Sequence, residues 1–177
     1  MKLVVFTIVT VIFFNCKNNQ FKTETLSEIT HLSQNEETTI FLIRHAEKDL
    51  STSKNPDLTL IGEKRAENWS NHFSNIEFDA VYSSNFTRTK KTAMPTASKN
   101  NLELIIYNPE SISAAQFLKE NKGKTVLVVG HSNTIPFFVN KIIEENMYDE
   151  IDESIYNHLY KITINENDIS HNLTTVD

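Results

Sequence analysis

The stretch Thr39-Ile40-Phe41-Leu42-Ile43-Arg44-His45-Ala46-Glu47 decides the fold class of this chain. Its first five residues are β-branched or apolar on both faces, which is typical of a strand buried at the centre of a sheet. The chain turns charged at Arg44, directly where that strand is expected to end. Sites in open parallel sheets form beyond the carboxyl ends of the strands. We therefore expect a functional site just after this stretch.

Strand and helix patterns alternate through the remainder of the chain. Further strands are predicted at Phe78–Tyr82, Leu102–Tyr107, Thr125–Val129 and Tyr156–Ile164, with an edge strand at Ile169–Val176. Between them, apolar residues recur at helical spacing, as in Gly62, Ala66, Trp69 and Phe73. A helix is also expected over Arg88–Ser98, with Pro95 kinking or ending it. The alternation predicts an α/β fold whose mostly parallel sheet carries helices on both faces.

Composition narrows the function classes. The 177 residues carry a formal net charge of -6, which argues against a nucleic-acid partner because phosphate backbones require clustered positive charge. Cys16 is the single cysteine, so an intramolecular disulfide and a cysteine-based zinc site are both excluded. The chain also lacks the histidine spacings of metalloproteases and the G-x-S-x-G turn of serine hydrolases.

The amino-terminal sequence predicts a targeting segment. Lys2 precedes an apolar run that ends near Phe14, and Cys16 follows directly. Residues 1–16 therefore resemble a lipoprotein signal peptide with Cys16 as the lipidated residue. An ordinary signal peptide, an uncleaved anchor and a buried cytosolic strand are the alternatives. Residues 17–37 are polar and predict a tether, which leaves residues 38–177 as the folded domain. We expect an exported protein, anchored in the membrane and facing the periplasm or cell exterior.

Histidines and arginines follow three of the predicted strands. Arg44 and His45 come after the first, Arg88 comes soon after the second, and His131 comes after the fourth. Arginine presents a planar fork of donors that matches phosphate oxygens, and neighbouring positive charge lowers the pKa of a histidine. A neutral imidazole among phosphate-binding groups is a nucleophile suited to phosphorus. The backbone of Ser132, at the start of the next helix, could add N–H donors.

Four blocks of the sequence together resemble the histidine phosphatase superfamily, also called the phosphoglycerate mutase-like family. The first is its R-H-x-E signature, at Arg44–Glu47. The other three follow in the family's order: Leu58-Thr59-Leu60-Ile61-Gly62-Glu63-Lys64-Arg65-Ala66, the segment Ser83–Ala93, which contains S-S and R-T, and Gly130-His131-Ser132. The resemblance implies a three-layer α/β/α sandwich in which no metal or organic cofactor takes part.

The resemblance also implies a role for each matching residue. His45 would be the nucleophile that is phosphorylated, and Arg44, Arg88 and His131 would surround the phosphoryl group. The general acid is open between Glu110, after the third strand, and Glu47, which could instead pair with Arg65. A third alternative is that no dedicated acid is present, as in some members that act on good leaving groups. Ser51 occupies a position where relatives often carry an asparagine that contacts phosphate. It could equally be a loop residue that makes no contact with phosphate.

These features predict an exported phosphomonoesterase that hydrolyses phosphate esters through a phosphohistidine. The substrate would be a small-molecule phosphate ester or a phosphorylated macromolecule, and a membrane would be contacted only through the signal or a lipid anchor. Three alternatives stay open: a phosphoglycerate mutase-type phosphotransferase, a protein phosphohistidine phosphatase, and a non-catalytic phosphate-binding module. The sequence leaves the oligomeric state undetermined.

Overall fold

The structure is a computed structural model that describes residues 37–51, 54–166 and 168–176. The predicted signal peptide, the predicted lipidation at Cys16 and the tether up to residue 36 lie outside the described residues. Within the described ranges, no helix is both long enough and apolar enough to cross a membrane.

Six strands and four helices make up the described part of the chain. The strands are β1 (Thr38–Arg44), β2 (Ala80–Ser84), β3 (Leu104–Tyr107), β4 (Thr125–Gly130), β5 (His158–Asn165) and β6 (Asp168–Thr175). The helices are α1 (Leu60–His72), α2 (Thr87–Lys99), α3 (Ala114–Glu120) and α4 (Thr134–Ile143). The strands form a single sheet in the order β3-β2-β4-β1-β5-β6. The first four strands of that order run parallel, and β5 and β6 are antiparallel.

Helices cover both faces of this sheet. Phe117 of α3 and Phe138 of α4 pack with Leu42 and Val128 on one face. Trp69 of α1 and Ala93 of α2 belong to a second apolar cluster on the opposite face. The predicted three-layer α/β/α sandwich with a mostly parallel central sheet is therefore confirmed.

Strand β1 lies at the centre of the molecule, as its continuous apolar pattern predicts. All seven of its residues are buried, and it pairs with β4 on one side and β5 on the other. The register with β4 ends on the pair Arg44 and Gly130. The residues that follow these two strands, His45 and His131, therefore begin side by side at one edge of the sheet.

The start of α1 holds the segment after β1 in place. The side chain of Thr59 caps the helix by accepting a hydrogen bond from the Gly62 amide at 3.0 Å. The Glu47 carbonyl accepts from the Thr59 amide at 2.9 Å. A Cβ at Gly62 would lie 2.3 Å from that same carbonyl oxygen, so only glycine allows this close approach.

Helix α2 begins one residue before Arg88 and continues past Pro95 to Lys99. The prediction that Pro95 could end the helix is therefore wrong. Proline removes one backbone donor and leaves the carbonyl of Lys91 without its usual helical partner. Lys91 lies on the exposed side of the helix, where water can solvate that carbonyl, so the helix tolerates the interruption.

Candidate active site

His45 and His131 meet where β1 and β4 end. The His45 amide donates to the Gly130 carbonyl at 2.9 Å, which extends the strand pairing by one bond. The two imidazole rings lie 5.4 Å apart between centroids, in an edge-to-face arrangement. The fold thus brings both predicted histidines into one site.

The His45 side chain is fixed as a neutral imidazole. It is 2 % exposed, and its Nδ1 lies 2.7 Å from the Ala46 carbonyl oxygen. A carbonyl oxygen can only accept, so Nδ1 carries the proton and Nε2 keeps its lone pair. Burial, against the opposing effect of the Ala46 hydrogen bond and together with the charges of Arg88, His131 and Arg44, lowers the pKa of His45 to about 3. His45 is therefore a neutral base at physiological pH.

His131 is held by a chain of hydrogen bonds that defines its tautomer. The Arg88 Nη2 lies 3.2 Å from His131 Nδ1, and a guanidinium can only donate. His131 Nε2 therefore carries the proton and donates to Ser84 Oγ at 2.9 Å. Ser84 Oγ donates in turn to Thr89 Oγ1, which donates to the Ser84 carbonyl. Burial, followed by Arg88, Arg44 and Lys48, lowers the pKa of His131 to about 4.

Arg44 is buried almost completely, with 1 % of its side chain exposed. Its Nη1 donates to the carbonyls of Asp152, Glu153 and Ile155 at 2.8–3.1 Å. The guanidinium carbon lies 4.2 Å above the ring of Tyr156. Among the described residues, Arg44 Nε has no hydrogen-bond partner, whereas Nη2 forms an ion pair with the Glu153 carboxylate at 3.0 Å. Nη1 of this guanidinium therefore orders the backbone, and Nε is available to donate to a ligand.

Arg88 completes the group from the first turn of α2. Its guanidinium carbon lies 4.6 Å above the ring of Phe86, and its buried Nε also lacks a hydrogen-bond partner within the described ranges. Buried donors without partners are costly, so they indicate a ligand that would accept from them. Two guanidiniums with unfilled donors around a neutral imidazole fit a phosphoryl group, whose oxygens accept such forks.

The two candidate acids lie in different surroundings. Glu47 receives hydrogen bonds from Arg65 Nε on both of its carboxylate oxygens, at 2.8 and 3.0 Å, and an ion pair from Arg65 Nη2 at 2.7 Å. This is the pairing with Arg65 expected as its alternative role. Glu110 is exposed on the loop after β3, and its amide donates to Asn108 Oδ1. The structure shows no contact between Glu110 and the histidine and arginine side chains of the site.

The two serines named from the sequence lie in different surroundings. Ser51 is exposed, and its amide donates to Asp49 Oδ1 at 2.9 Å within the loop after β1. Ser132 is buried beside His131, and its hydroxyl donates to Glu153 Oε1 at 2.9 Å. The Ser132 carbonyl accepts from the Ile151 amide. Ser132 thus connects the site to the segment that precedes β5.

Sequence reasoning missed two charged residues of the site, Lys48 and Glu153. The Glu153 carboxylate lies 3.0 Å from Arg44 Nη2 and 2.9 Å from Lys48 Nζ. The acidic run at residues 149–153 was the available signal, because several carboxylates just before a strand must meet cations or solvent. Two cations, on Arg44 and Lys48, therefore contact one carboxylate. No group of histidines, cysteines and carboxylates in the described ranges could hold a metal ion.

The sequence profile of the histidine phosphatase superfamily (branch 1) matches residues 40–108. The match contains Arg44, His45, Glu47 and Arg88 in their expected order, and the fold supplies His131 beside them. The sequence match and the fold together support the histidine phosphatase superfamily. The family and the enzyme class, a phosphatase, are thus as the sequence predicts. No curated protein sequence matches the chain significantly.

Several solved structures share this histidine phosphatase fold. The protein histidine phosphatase SixA in complex with tungstate is 19 % identical with a TM-score of 0.61, and the alignment covers 77 % of this chain and 96 % of that one. Phosphoserine phosphatase from Entamoeba histolytica is 16 % identical with a TM-score of 0.59, covering 76 % and 94 %. A mycobacterial glucosyl-3-phosphoglycerate phosphatase is 11 % identical with a TM-score of 0.59, covering 78 % and 97 %.

Proposed function

We propose that this histidine phosphatase hydrolyses phosphate monoesters through a phosphohistidine formed on His45. One observation carries the proposal. A buried, neutral imidazole with its lone pair on Nε2 lies near two arginines whose buried Nε groups have no hydrogen-bond partner among the described residues. A phosphoryl group would fill those donors and place its phosphorus in front of the nucleophile.

In the first step His45 Nε2 attacks phosphorus in line with the leaving oxygen. The proton stays on Nδ1, which donates to the Ala46 carbonyl, so a fixed acceptor stabilises the imidazolium charge that develops. Arg44 and Arg88 donate to the equatorial oxygens, whose charge they stabilise throughout the transfer. In the second step water attacks the phosphohistidine, phosphate departs, and Nε2 regains its lone pair.

His131 would contribute differently from His45. Its Nδ1 accepts from Arg88 and its Nε2 donates to Ser84, so both nitrogens are occupied and its ring orientation is set. Such a histidine is a poor nucleophile, since its only lone pair is engaged by a cation. We assign it the role of holding the Arg88 fork against the phosphoryl group. The asymmetry between the two histidines favours His45 as the phosphorylated residue.

The relatives of known structure support a phosphorylated substrate but differ in which one. Phosphoserine and tungstate are the ligands that the descriptions of two of them name. Serine O-phosphates, phosphohistidine proteins and phosphoglycerates are accordingly the substrates for a first panel. Assays on these substrates also separate hydrolysis from a mutase-type transfer and from phosphate binding without turnover.

Export belongs to the same proposal. The apolar run before Cys16 supports a lipoprotein signal, with the domain facing the periplasm or the cell exterior. Metabolic labelling with a radioactive fatty acid, compared between the wild-type chain and Cys16→Ser, tests this part. Label that persists in the variant would contradict lipidation at Cys16.

The central experiment compares the full chain with His45→Ala on an aryl phosphate, followed by an alkaline quench. Wild type should release phosphate and yield an acid-labile, base-stable phosphoprotein, and the variant should yield neither. Circular dichroism should show that the variant keeps the fold, because His45 lies at the edge of the sheet. Equal turnover by the folded variant would disprove His45 as the nucleophile.

A further inference from the structure

Glu153 places a carboxylate inside the cation cluster of the site. Its Oε2 lies 3.0 Å from Arg44 Nη2 and 2.9 Å from Lys48 Nζ, and its Oε1 accepts from Ser132 Oγ at 2.9 Å. Both of its oxygens therefore have defined partners. The side chain is nevertheless 62 % exposed, so one side of the carboxylate faces solvent. A carboxylate in this position borders the place where a phosphate ester would enter.

The backbone that carries Glu153 is positioned by the site itself. Ile151 is buried in the apolar core, and its amide donates to the Ser132 carbonyl at 3.0 Å. Arg44 Nη1 also donates to the carbonyl of Glu153 at 3.1 Å and to the carbonyls of Asp152 and Ile155, which flank it. The arginine that would bind phosphate thus also fixes the turn that presents the carboxylate.

The other carboxylates considered for proton transfer lack this placement. Glu47 is held by two nitrogens of Arg65, and Glu110 is exposed on the loop after β3. Asp57 is paired with Lys91 at 2.7 Å on the outer side of α2. Within the described ranges, Glu153 is the acidic side chain that directly contacts Arg44, the arginine next to the nucleophile.

We infer that Glu153 is the general acid and base of the reaction. This inference rests on the proposed phosphohistidine mechanism. Proton donation to a leaving oxygen requires an acidic group beside the phosphoryl site, and Glu153 lies against Arg44 Nη2 with most of its side chain exposed to solvent. Arg44, Lys48 and Ser132 set the direction of its carboxylate, and Glu153 transfers the proton.

The proton and electron balance closes over the two steps. The Nε2 lone pair of His45 forms the bond to phosphorus, and the bond from phosphorus to the ester oxygen breaks with its electron pair on that oxygen. The protonated Glu153 gives its proton to this oxygen and releases an alcohol. Glu153, now a carboxylate, takes a proton from the attacking water as the bond from phosphorus to Nε2 breaks, and the carboxylic acid is restored.

Substrate binding is what protonates Glu153. The groups that face it are Arg44, Lys48 and Ser132, with Arg88, Asp152 and Glu150 nearby. In the free protein the hydrogen bond from Lys48, followed by those from Ser132 and the charge of Arg44, lowers the pKa of Glu153 to about 2. A phosphoryl group competes for the same cations and adds negative charge beside the carboxylate. Both effects raise the pKa of Glu153 in the complex.

The test uses the full chain and compares two substrates that differ in their leaving group. An alkyl phosphate needs its leaving oxygen protonated, whereas p-nitrophenyl phosphate departs as a stable phenolate. General acid catalysis contributes about 10²- to 10⁴-fold to rate. Glu153→Gln should therefore lower kcat/KM for the alkyl phosphate by about that factor and for p-nitrophenyl phosphate by less than about tenfold. The parameter kcat/KM covers only the steps through departure of the leaving group, so slow hydrolysis of the phosphohistidine does not obscure it.

Glu150→Gln is the matched control, because it removes the same charge from the same segment without touching Arg44. It should leave the ratio of the two kcat/KM values unchanged. If Glu153→Gln lowers kcat/KM equally for both substrates, the residue merely positions Arg44, and the inference is overturned. A wild-type chain that forms no phosphohistidine would instead overturn the proposed function, so the two failures are distinguishable.

Discussion

Arg88 donates from Nη2 to His131 Nδ1 across 3.2 Å and thereby determines which nitrogen of His131 carries its proton. The proton is left on Nε2, which donates to Ser84 at the end of β2. A single contact thus links the first turn of α2 to the ends of β2 and β4. The phosphate-binding arginine and the second histidine act as one unit, and a change in either one should disturb the other.

Replacing Arg88 should weaken anion binding. Arg88→Ala removes the fork and frees His131 Nδ1, and a hydrogen bond to a charged group contributes about 1.5–3 kcal/mol. Inhibition by vanadate should therefore weaken by about 10- to 100-fold, as measured by the inhibition constant. Lys90→Ala is the control, since Lys90 lies two residues after Arg88 and its side chain contacts Asn85 on the surface. An unchanged constant in Arg88→Ala would remove this residue from the phosphoryl site.

Thr92 should be important for stability because it anchors the backbone of the nucleophile loop. Its Oγ1 accepts from the Ala46 amide at 2.9 Å and donates to the Arg88 carbonyl at 2.8 Å. Thr92→Val leaves a buried N–H without a partner, which costs about 1–3 kcal/mol. Thr96→Val, one turn further along α2, should cost nothing because the Thr96 hydroxyl has no partner in the described structure. Urea denaturation measures both, and equal losses would contradict the anchoring role of Thr92.

Gly62 should not tolerate a side chain. A methyl group there would meet the Glu47 carbonyl at 2.3 Å, and overpacking of this kind costs about 1–3 kcal/mol. The loss is a net value, since alanine is otherwise preferred over glycine inside a helix. Thermal unfolding of Gly62→Ala should show it, whereas Lys64→Ala on the exposed face of α1 should stay within about 0.5 kcal/mol of wild type. Wild-type stability in Gly62→Ala would mean that the loop after β1 moves freely.

Acid should destabilise the protein partly through His45. Its folded pKa is about 3 against an ordinary value of 6.5, so below pH 6.5 the unfolded chain binds a proton that the folded chain does not. Stability therefore falls as the pH drops from 6.5 toward 3, by at most about 1.4 kcal/mol per pH unit from this residue.

The check on this pH dependence is the free energy of unfolding of wild type and His45→Asn between pH 4 and pH 7. The variant should lose less stability over that range, because asparagine does not titrate. Parallel curves for the two proteins would show that His45 titrates normally in the folded state.

The succession of strands along the chain and the meeting of two histidines could be predicted from the sequence because both follow from local patterns. Buried strands read as apolar runs, and parallel strands bring their carboxyl ends to one edge. His45 and His131 needed only these two rules. The continuation of α2 past Pro95 could not be predicted, since it depends on the exposure of one carbonyl rather than on the proline itself.

The position of Glu153 could not be predicted from the sequence for a different reason. It depends on Arg44 Nη1 binding main-chain carbonyls, and every residue has a carbonyl, so these acceptors leave no trace in the sequence. The burial of Ile151, which anchors the turn, is a long-range packing result. The acidic run is visible as a charge pattern, but its contact with β1 is settled only by tertiary structure.

The hydrogen bond from the His45 amide to the Gly130 carbonyl ties the nucleophile to the most deeply buried pair of strands. Local fraying of a loop does not release an amide held in this way, and its exchange with solvent deuterium requires the central sheet to open. The reactive imidazole therefore inherits the stability of the whole domain, whereas the loop that carries Glu153 lies outside the sheet. The position of the nucleophile is therefore set by the core of the domain, and the position of the proposed acid is set by the contacts of a loop.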